Sequence, residues 1–470
     1  MTGSALLSGS KREEKLRQKL GKDYVAPSPY SLRCALTQGS AVTKLSAVIF
    51  GLGNVAHKQY VKGLLLFALE AAFIAFFVTA GIDYLAKLPG LGDQEQGKVL
   101  VDGYWQYTAG DNSVVILLYG VATIVLIIAF ALLWSVAVRS AYKAQVMTEK
   151  HGKAPSIRED IAVLQDSKAH QLLMFLPMLG ILTFSVLPLI FMISMAFTSY
   201  DHNNLVLFDW VGLKNFGAIF TNSSGTVNMR IFGSVLIWTL VWAIFATFLN
   251  FFLGLFMAMI INRKTTRMKG LWRALFSLSI AVPQFVSLLV INTMLQPQGA
   301  INRLLQNWGW IDSALPFFQD AMWARVTVIV VNLWVGIPYT IMQITGILQN
   351  IPADQYEAAR IDGANTWQIF RKITMPYIIF VLTPYLITTF TGNVNNFNVI
   401  YLLSGGAPVP VGDSAGKTDL LITWLYKLTV DKNDYNLGAV IGIMTFIVLA
   451  VVSLITYRNS GSYKNEEAFR

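Results

Sequence analysis

The chain has 470 residues, of which 54% are apolar and only 13% charged, against about 25% charged in an ordinary soluble domain. That balance excludes a soluble globular enzyme and points to a membrane protein. The net charge of +10 is unevenly distributed along the chain and reads as an orientation signal rather than as nucleic-acid binding, and the single cysteine, Cys34, excludes an internal disulfide or a cysteine metal cluster.

The first 40 residues are polar and basic, with Pro27 and Pro29. They show no cleavable signal peptide pattern and read as a cytoplasmic tail lying along the anionic leaflet. Residues 1–62 form this N-terminal region, with an apolar segment at 41–57. Its stretch LSAVIFGLGNVA (45–56) is too short to span and carries Gly51, Gly53 and Asn54, so an interfacial or re-entrant element is expected. A ninth span there would invert the parity of one end of the chain.

Apolar runs of about 20 residues, the length that a hydrocarbon core of about 30 Å requires, then recur. They lie at roughly 63–80, 114–138, 171–198, 231–261, 273–296, 323–348, 377–403 and 437–457. The fold class is therefore an all-α integral membrane protein of eight transmembrane helices. A β-barrel is excluded, because these runs are apolar all round instead of alternating. Glu70 is the one acid inside a span; a structural pairing or a lipid-edge position is favoured over a proton relay, because no second ionisable residue completes one.

With the N-terminus placed in the cytoplasm, roughly three quarters of the Lys and Arg residues fall on the inside, whereas Asp and Glu divide almost evenly. Arg263, Lys264, Arg267, Lys269 and Arg273, with no acid among them, are the firmest anchor. Both termini are then cytoplasmic, the second of them in a tail at 458–470.

Polar side chains inside spans cluster in three places. The fifth span carries Pro283, Gln284 and Asn292; the sixth carries Asn332, Trp334, Gly336, Pro338 and Tyr339; the seventh carries Asn393, Asn395, Asn396 and Asn398. Amides hydrogen-bond hydroxyls and aromatic faces stack on sugar rings, whereas an ion site would want carboxylates or bare carbonyls. Gly336 and Pro338 are expected to loosen their helix and admit a ligand to its backbone. The competing reading is that these amides are interhelical glue.

Between the sixth and seventh spans lies a polar block, Glu357-Ala358-Ala359 followed by Asp362, Gly363 and Pro376. It predicts two short helices, 356–361 and 366–374, with a break at Gly363 and the next span opening at Pro376. Charge parity puts the block in the cytoplasm.

Catalytic signatures are missing. Gly412-Asp-Ser-Ala-Gly416-Lys417-Thr418 falls one residue short of a phosphate-binding loop, and the four histidines have no metal-ligand spacing. No enzymatic activity, no metal and no cofactor bound by the chain itself are expected.

The block at 357–376 resembles the cytoplasmic coupling motif of ABC importer permeases. With YDHNNLVLFDWVGLKNF, IAVPQF, NLWVGIPY, NVNNF and TDLL in this order, the chain resembles MalF-type permeases of maltose and maltodextrin importers over residues 171–457. Two spans at 63–170 precede that region. The resemblance implies a bacterial plasma-membrane importer with a substrate pocket at Gln284, Asn332, Trp334, Gly336, Tyr339, Asn393 and Asn396. It implies coupling through Glu357, Ala358, Ala359, Asp362, Gly363 and Pro376. The implied partners are a second homologous permease subunit, two ATPase subunits that bind ATP and Mg, a sugar-binding protein and the lipid bilayer, with no nucleic acid. Gln284 and Ile280 depart from the family pattern, and the outside loop at 199–230 is short. The rival readings are a permease for another oligosaccharide, such as a galactan fragment or raffinose-type sugar, a proton- or sodium-coupled secondary transporter, and a membrane scaffold without a substrate path.

Overall fold

The computed structural model describes residues 30–221, 227–263 and 265–459. Most of the basic N-terminal tail, Lys264 and nearly all of the 458–470 tail lie outside them. The chain divides into two compact units, one of residues 1–194 with 204–210 and the other of 195–203 with 211–470. The third span thus clusters with the first two, and the second unit begins after it.

The first unit opens with three short helices, α1 (Leu32–Gln38), α2 (Ala41–Leu45) and α3 (Leu52–Ala56). They precede α4 (Tyr60–Lys87), the first span, which contains a π-turn at Phe77–Gly81. The β-strands β1 (Gly97–Val101) and β2 (Tyr104–Thr108) follow, then α5 (Ser113–His151), α6 (Ile157–Gln165) and α7 (Ala169–Met195). The segment at 41–57 does not span. It folds onto α4 and α5, where its polar backbone is satisfied by specific side chains. Gln145 Oε1 accepts from Ser40 N–H (2.9 Å) and Thr43 Oγ1 (2.7 Å), and Trp134 Nε1 donates to the Ala47 carbonyl (2.9 Å). Glu70, 5% exposed, accepts the Phe50 backbone N–H through Oε2 at 2.8 Å. The intramembrane acid therefore terminates a turn.

The hairpin β1–β2 is the one pair of strands among the described residues and a departure from the all-α expectation. Asp102 and Gly103 both take positive φ (52° and 83°) at its two-residue turn, the geometry that Asp-Gly favours between antiparallel strands.

The second unit holds α8 (Lys214–Thr221), α9 (Met229–Asn262), α10 (Lys269–Ala281), α11 (Gln284–Met294), α12 (Ala300–Asn307) and α13 (Ala321–Asn350). After these come α14 (Ala353–Ile361), α15 (366–394), α16 (Phe397–Leu403), α17 (Leu421–Tyr426) and α18 (Tyr435–Asn459). Helix α9 is its axis. Asn228 caps its start by accepting from Ile231 N–H, and it packs against both α13 and α15. One core cluster joins Trp238, Trp242 and Ala246 of α9 to Leu288, Val394 and Ile400; a second joins Phe251, Leu255 and Ala258 to Ile341, Ile344 and Ile378. At the far end of α9, Lys269 and Arg273 donate to the Asn262 carbonyl and Oδ1. Lys269 and Arg273 of the cationic cluster thus also cap the negative end of the helix dipole.

Among the described residues seven helices are long and apolar enough to cross a bilayer, and an eighth crossing arises only if α10 and α11 count as one span bent by 84°. The fifth expected span is therefore not a single rod. Val282 is extended (φ −86°, ψ 127°) ahead of Pro283, the conformation that a following proline enforces. The seventh span departs in the opposite sense. Pro376 lies inside α15 and does not open it, because a π-turn at Phe370–Thr374 joins the polar segment to the span without a break. A proline leaves the turn before it without one backbone donor, and a π-turn absorbs that loss.

Candidate functional site

Two of the expected pocket positions sit where spans are interrupted. Gln284, half-buried, is the first residue of α11, immediately after the 84° bend. The seventh span breaks at Asn395 (φ −98°, ψ 25°), with Asn396 capping α16 by accepting the Val399 N–H at 3.2 Å. The two segments beyond these breaks, α11 and α16, pack side by side, and Asn292 of α11 donates to the Leu403 carbonyl at the end of α16. Irregular backbone at membrane depth persists where protein or a cavity surrounds it, and broken helices of this kind build transporter sites.

The amides at the second break also serve the fold. Asn393 Nδ2 donates to Thr247 Oγ1 of α9 at 3.0 Å, and its carbonyl accepts from Trp242 Nε1 at 3.0 Å. Asn396 Nδ2 reaches Asn393 Oδ1 at 3.4 Å. Both are half-buried, whereas Asn395 and Asn398 are exposed.

On α13 the expected positions divide. Trp334 and Tyr339 are 58% and 51% exposed and present aromatic surface. Asn332 is buried, and its Nδ2 has no hydrogen-bond partner. Gly336 does not loosen its helix, since α13 runs unbroken through Gly336 and Pro338. Instead a Cβ at Gly336 would overlap the Asn250 side chain, and a Cβ at Gly254 would lie 2.6 Å from Thr340 Cβ. Glycine at these places lets α9 and α13 approach closely, as small residues do between membrane helices. Asn250, mid-span in α9, was not among the expected positions. Its Nδ2 donates to the Ala246 carbonyl and its Oδ1 is a buried acceptor without a partner. Its signal in the sequence is that of the other amides, a lone amide within the apolar fourth span.

The polar block forms an exposed helical hairpin. In α14, Glu357 and Ala358 are exposed and Ala359 half-buried; Asp362 closes the helix and Gly363 follows at φ +77° with open space around it. Asn365 and Gln368 form a reciprocal capping box that starts α15, and Tyr356 hydroxyl meets Thr374 Oγ1 at 3.1 Å to hold the two arms together. Ile361 and Trp367, 86% and 65% exposed, flank the Gly363 turn. Motif reading passes over them, because their signal is exposure of large apolar groups beside a charged turn.

Residues 250–461 match the family model "binding-protein-dependent transport system inner membrane component". The galactooligosaccharides transport system permease protein GanP of Bacillus subtilis is 35% identical over 440 residues, 91% of this chain and 100% of that protein. The chain belongs to this permease family. The maltodextrin transport system permease protein MalC of Streptococcus pneumoniae is 33% identical over 435 residues, 90% of this chain and 96% of its own length. A solved chain of a bacterial ABC transporter that imports alginate shares the fold, with a TM-score of 0.52 at 22% identity over 64% of this chain and 97% of that one. The resemblance to MalF-type permeases holds at the level of the family, and the permease is a multi-pass transport component of a binding-protein-dependent ABC importer rather than an enzyme.

Proposed function

We propose that this permease passes maltodextrin or a closely related oligosaccharide, galactooligosaccharides included, across the plasma membrane of a bacterium. The observation that carries this reading is similarity over nine tenths of the chain to permeases named for those two sugar classes. Gln284 and Asn396 at the span interruptions, Asn393 bonded to Asn396, Asn332 on α13, and the aromatic faces of Trp334 and Tyr339 supply the hydrogen bonds and stacking that a sugar chain requires. Gly336 supports the pocket by setting the spacing of α9 and α13. The N- and C-termini face the cytoplasm, where the α14 hairpin meets one of two ATPase subunits; these subunits hold ATP and Mg. Glu357 and Asp362 offer charge to that partner, and Ala358 and Ala359 keep the helix surface low. Gly363 turns the chain, and Pro376 follows the π-turn at Phe370–Thr374, through which motion passes along α15. A second homologous permease and a sugar-binding protein complete the machine.

The test is uptake into proteoliposomes by the full complex, with binding protein outside and ATP inside. Trp334→Ala should abolish maltodextrin uptake with the ATPase still bound, and Gly363→Asp should uncouple or release the ATPase. Uptake that follows an ion gradient without ATP would sink the reading. ATP-driven uptake of a different sugar class would correct the cargo alone.

A further inference from the structure

We propose that the groove between α9 and α13 binds one membrane phospholipid, with its phosphate on Arg325 and an acyl chain along the helices. The groove encloses about 630 Å³. It runs from Ser234 to Leu249 on α9, roughly 22 Å at about 1.5 Å per residue, which covers one leaflet of a hydrocarbon core about 30 Å thick. Its walls are Ile237, Val241, Phe245, Val326, Ile329 and Val330, of which Ile237 and Val330 are more than half exposed. A surface of that kind rejects a sugar and accepts an alkyl chain.

The polar end of the groove decides the headgroup. Arg325 lies near the start of α13. Its guanidinium sits 4.7 Å over the Trp238 ring, and its Nε donates to the Lys417 carbonyl at 3.0 Å. Among the described residues no carboxylate pairs with it, and its Nη nitrogens make no hydrogen bond. An unpaired guanidinium inside a membrane helix is costly, and it matches a phosphate geometrically and by charge. The Trp238 ring beneath the guanidinium is itself buried, so it holds Arg325 in place from the protein side. One cationic donor near the end of an apolar groove long enough to hold an acyl chain is complementary to an anionic amphiphile. In the orientation proposed above, that leaflet is the outer one.

The experiment uses the assembled importer purified in detergent, titrated with phosphatidylglycerol and phosphatidylcholine and read by native mass spectrometry. One phosphatidylglycerol should stay bound to the membrane subunits. Arg325→Gln should weaken it about tenfold or more, Arg325→Lys should recover part of the loss, and Val326→Phe should block the groove without touching the charge. The site would be overturned by equal lipid retention in wild type and Arg325→Gln. It would also be overturned if a cysteine at Val330, in a Cys34→Ser background, crosslinked to a helix of the second permease subunit. That outcome would make the groove a subunit interface.

Discussion

Gly336→Ala tests whether this glycine serves packing. The added methyl gains about 1 kcal/mol of helix propensity, but it overlaps the Asn250 side chain, which is buried and donates to the Ala246 carbonyl and must give up that bond or shift to admit it. Overpacking of that kind costs about 1–3 kcal/mol, so the net effect in the wild-type background is a loss of up to about 2 kcal/mol by these two terms. Asn250→Ala empties the space and removes a buried acceptor that has no partner. In that background the steric term vanishes and Gly336→Ala should stabilise by about 1 kcal/mol. The sign of one substitution therefore reverses between two backgrounds, which thermal unfolding of the four purified complexes reads directly as a double-mutant cycle. Equal shifts in both backgrounds would refute the packing role and return Gly336 to the ligand. Uptake measured on the same proteins separates the two roles further, because the double variant should fold well yet still report any need for a bare backbone at Gly336.

Three other outcomes follow from contacts in each unit. Glu70→Gln keeps an acceptor for the Phe50 N–H and should leave both stability and the pH profile of uptake unchanged, whereas Glu70→Leu strands that buried donor at a cost of about 1–3 kcal/mol; a pH-dependent defect in Glu70→Gln would revive the proton relay. Asp419, fully buried, accepts from Lys427 Nζ, Gly416 N–H and Thr423 Oγ1, so Asp419→Ala should destabilise by about 3 kcal/mol by leaving the Lys427 charge with only the Gly405 carbonyl, and Asp419→Ala with Lys427→Met should recover part of it. His202 Nδ1 lies 2.7 Å from Asp434 Oδ1, and chiefly that hydrogen bond raises its pKa against the opposing effect of burial. The contact should therefore be fully present below the ordinary histidine pKa of about 6.5 and weaken as pH rises through the raised value. Proteolysis of the 199–230 loop should accelerate over that interval in the wild type and show no such step in His202→Gln.

What the sequence disclosed and what it withheld divide by physical range. The spans were legible because burying some twenty consecutive backbone groups in hydrocarbon leaves an unmistakable composition. The interruption at Pro283 was legible as a proline but not as an 84° bend, since the angle depends on where α10 and α11 find packing. Residues 97–108 carry no long apolar run, and their one sign of structure is local, Asp102-Gly103 between two β-prone pentapeptides, a short-range hairpin signal. Pro376 misled for a related reason. A proline before an apolar run usually starts a helix, but the π-turn at Phe370–Thr374 let this one sit within a continuous helix.

The amides mark the deeper limit. Asn393 announces itself as a polar group in a span, yet whether it serves a ligand or the fold depends on Thr247, 146 residues away, and no local pattern encodes that pairing. The structure gives each amide a different balance. Asn393 and Asn396 already bond within the chain, so a sugar hydroxyl there must compete with or extend an existing network. Asn332 has a buried donor with nothing to lose. Leaving it unpaired costs about 1–3 kcal/mol, a penalty that a ligand or a shift of α13 against α9 could relieve. In the importer proposed above that asymmetry is useful. Satisfied amides hold the broken spans in register, while the unsatisfied pair Asn250 and Asn332 lies on the two helices whose separation Gly336 sets.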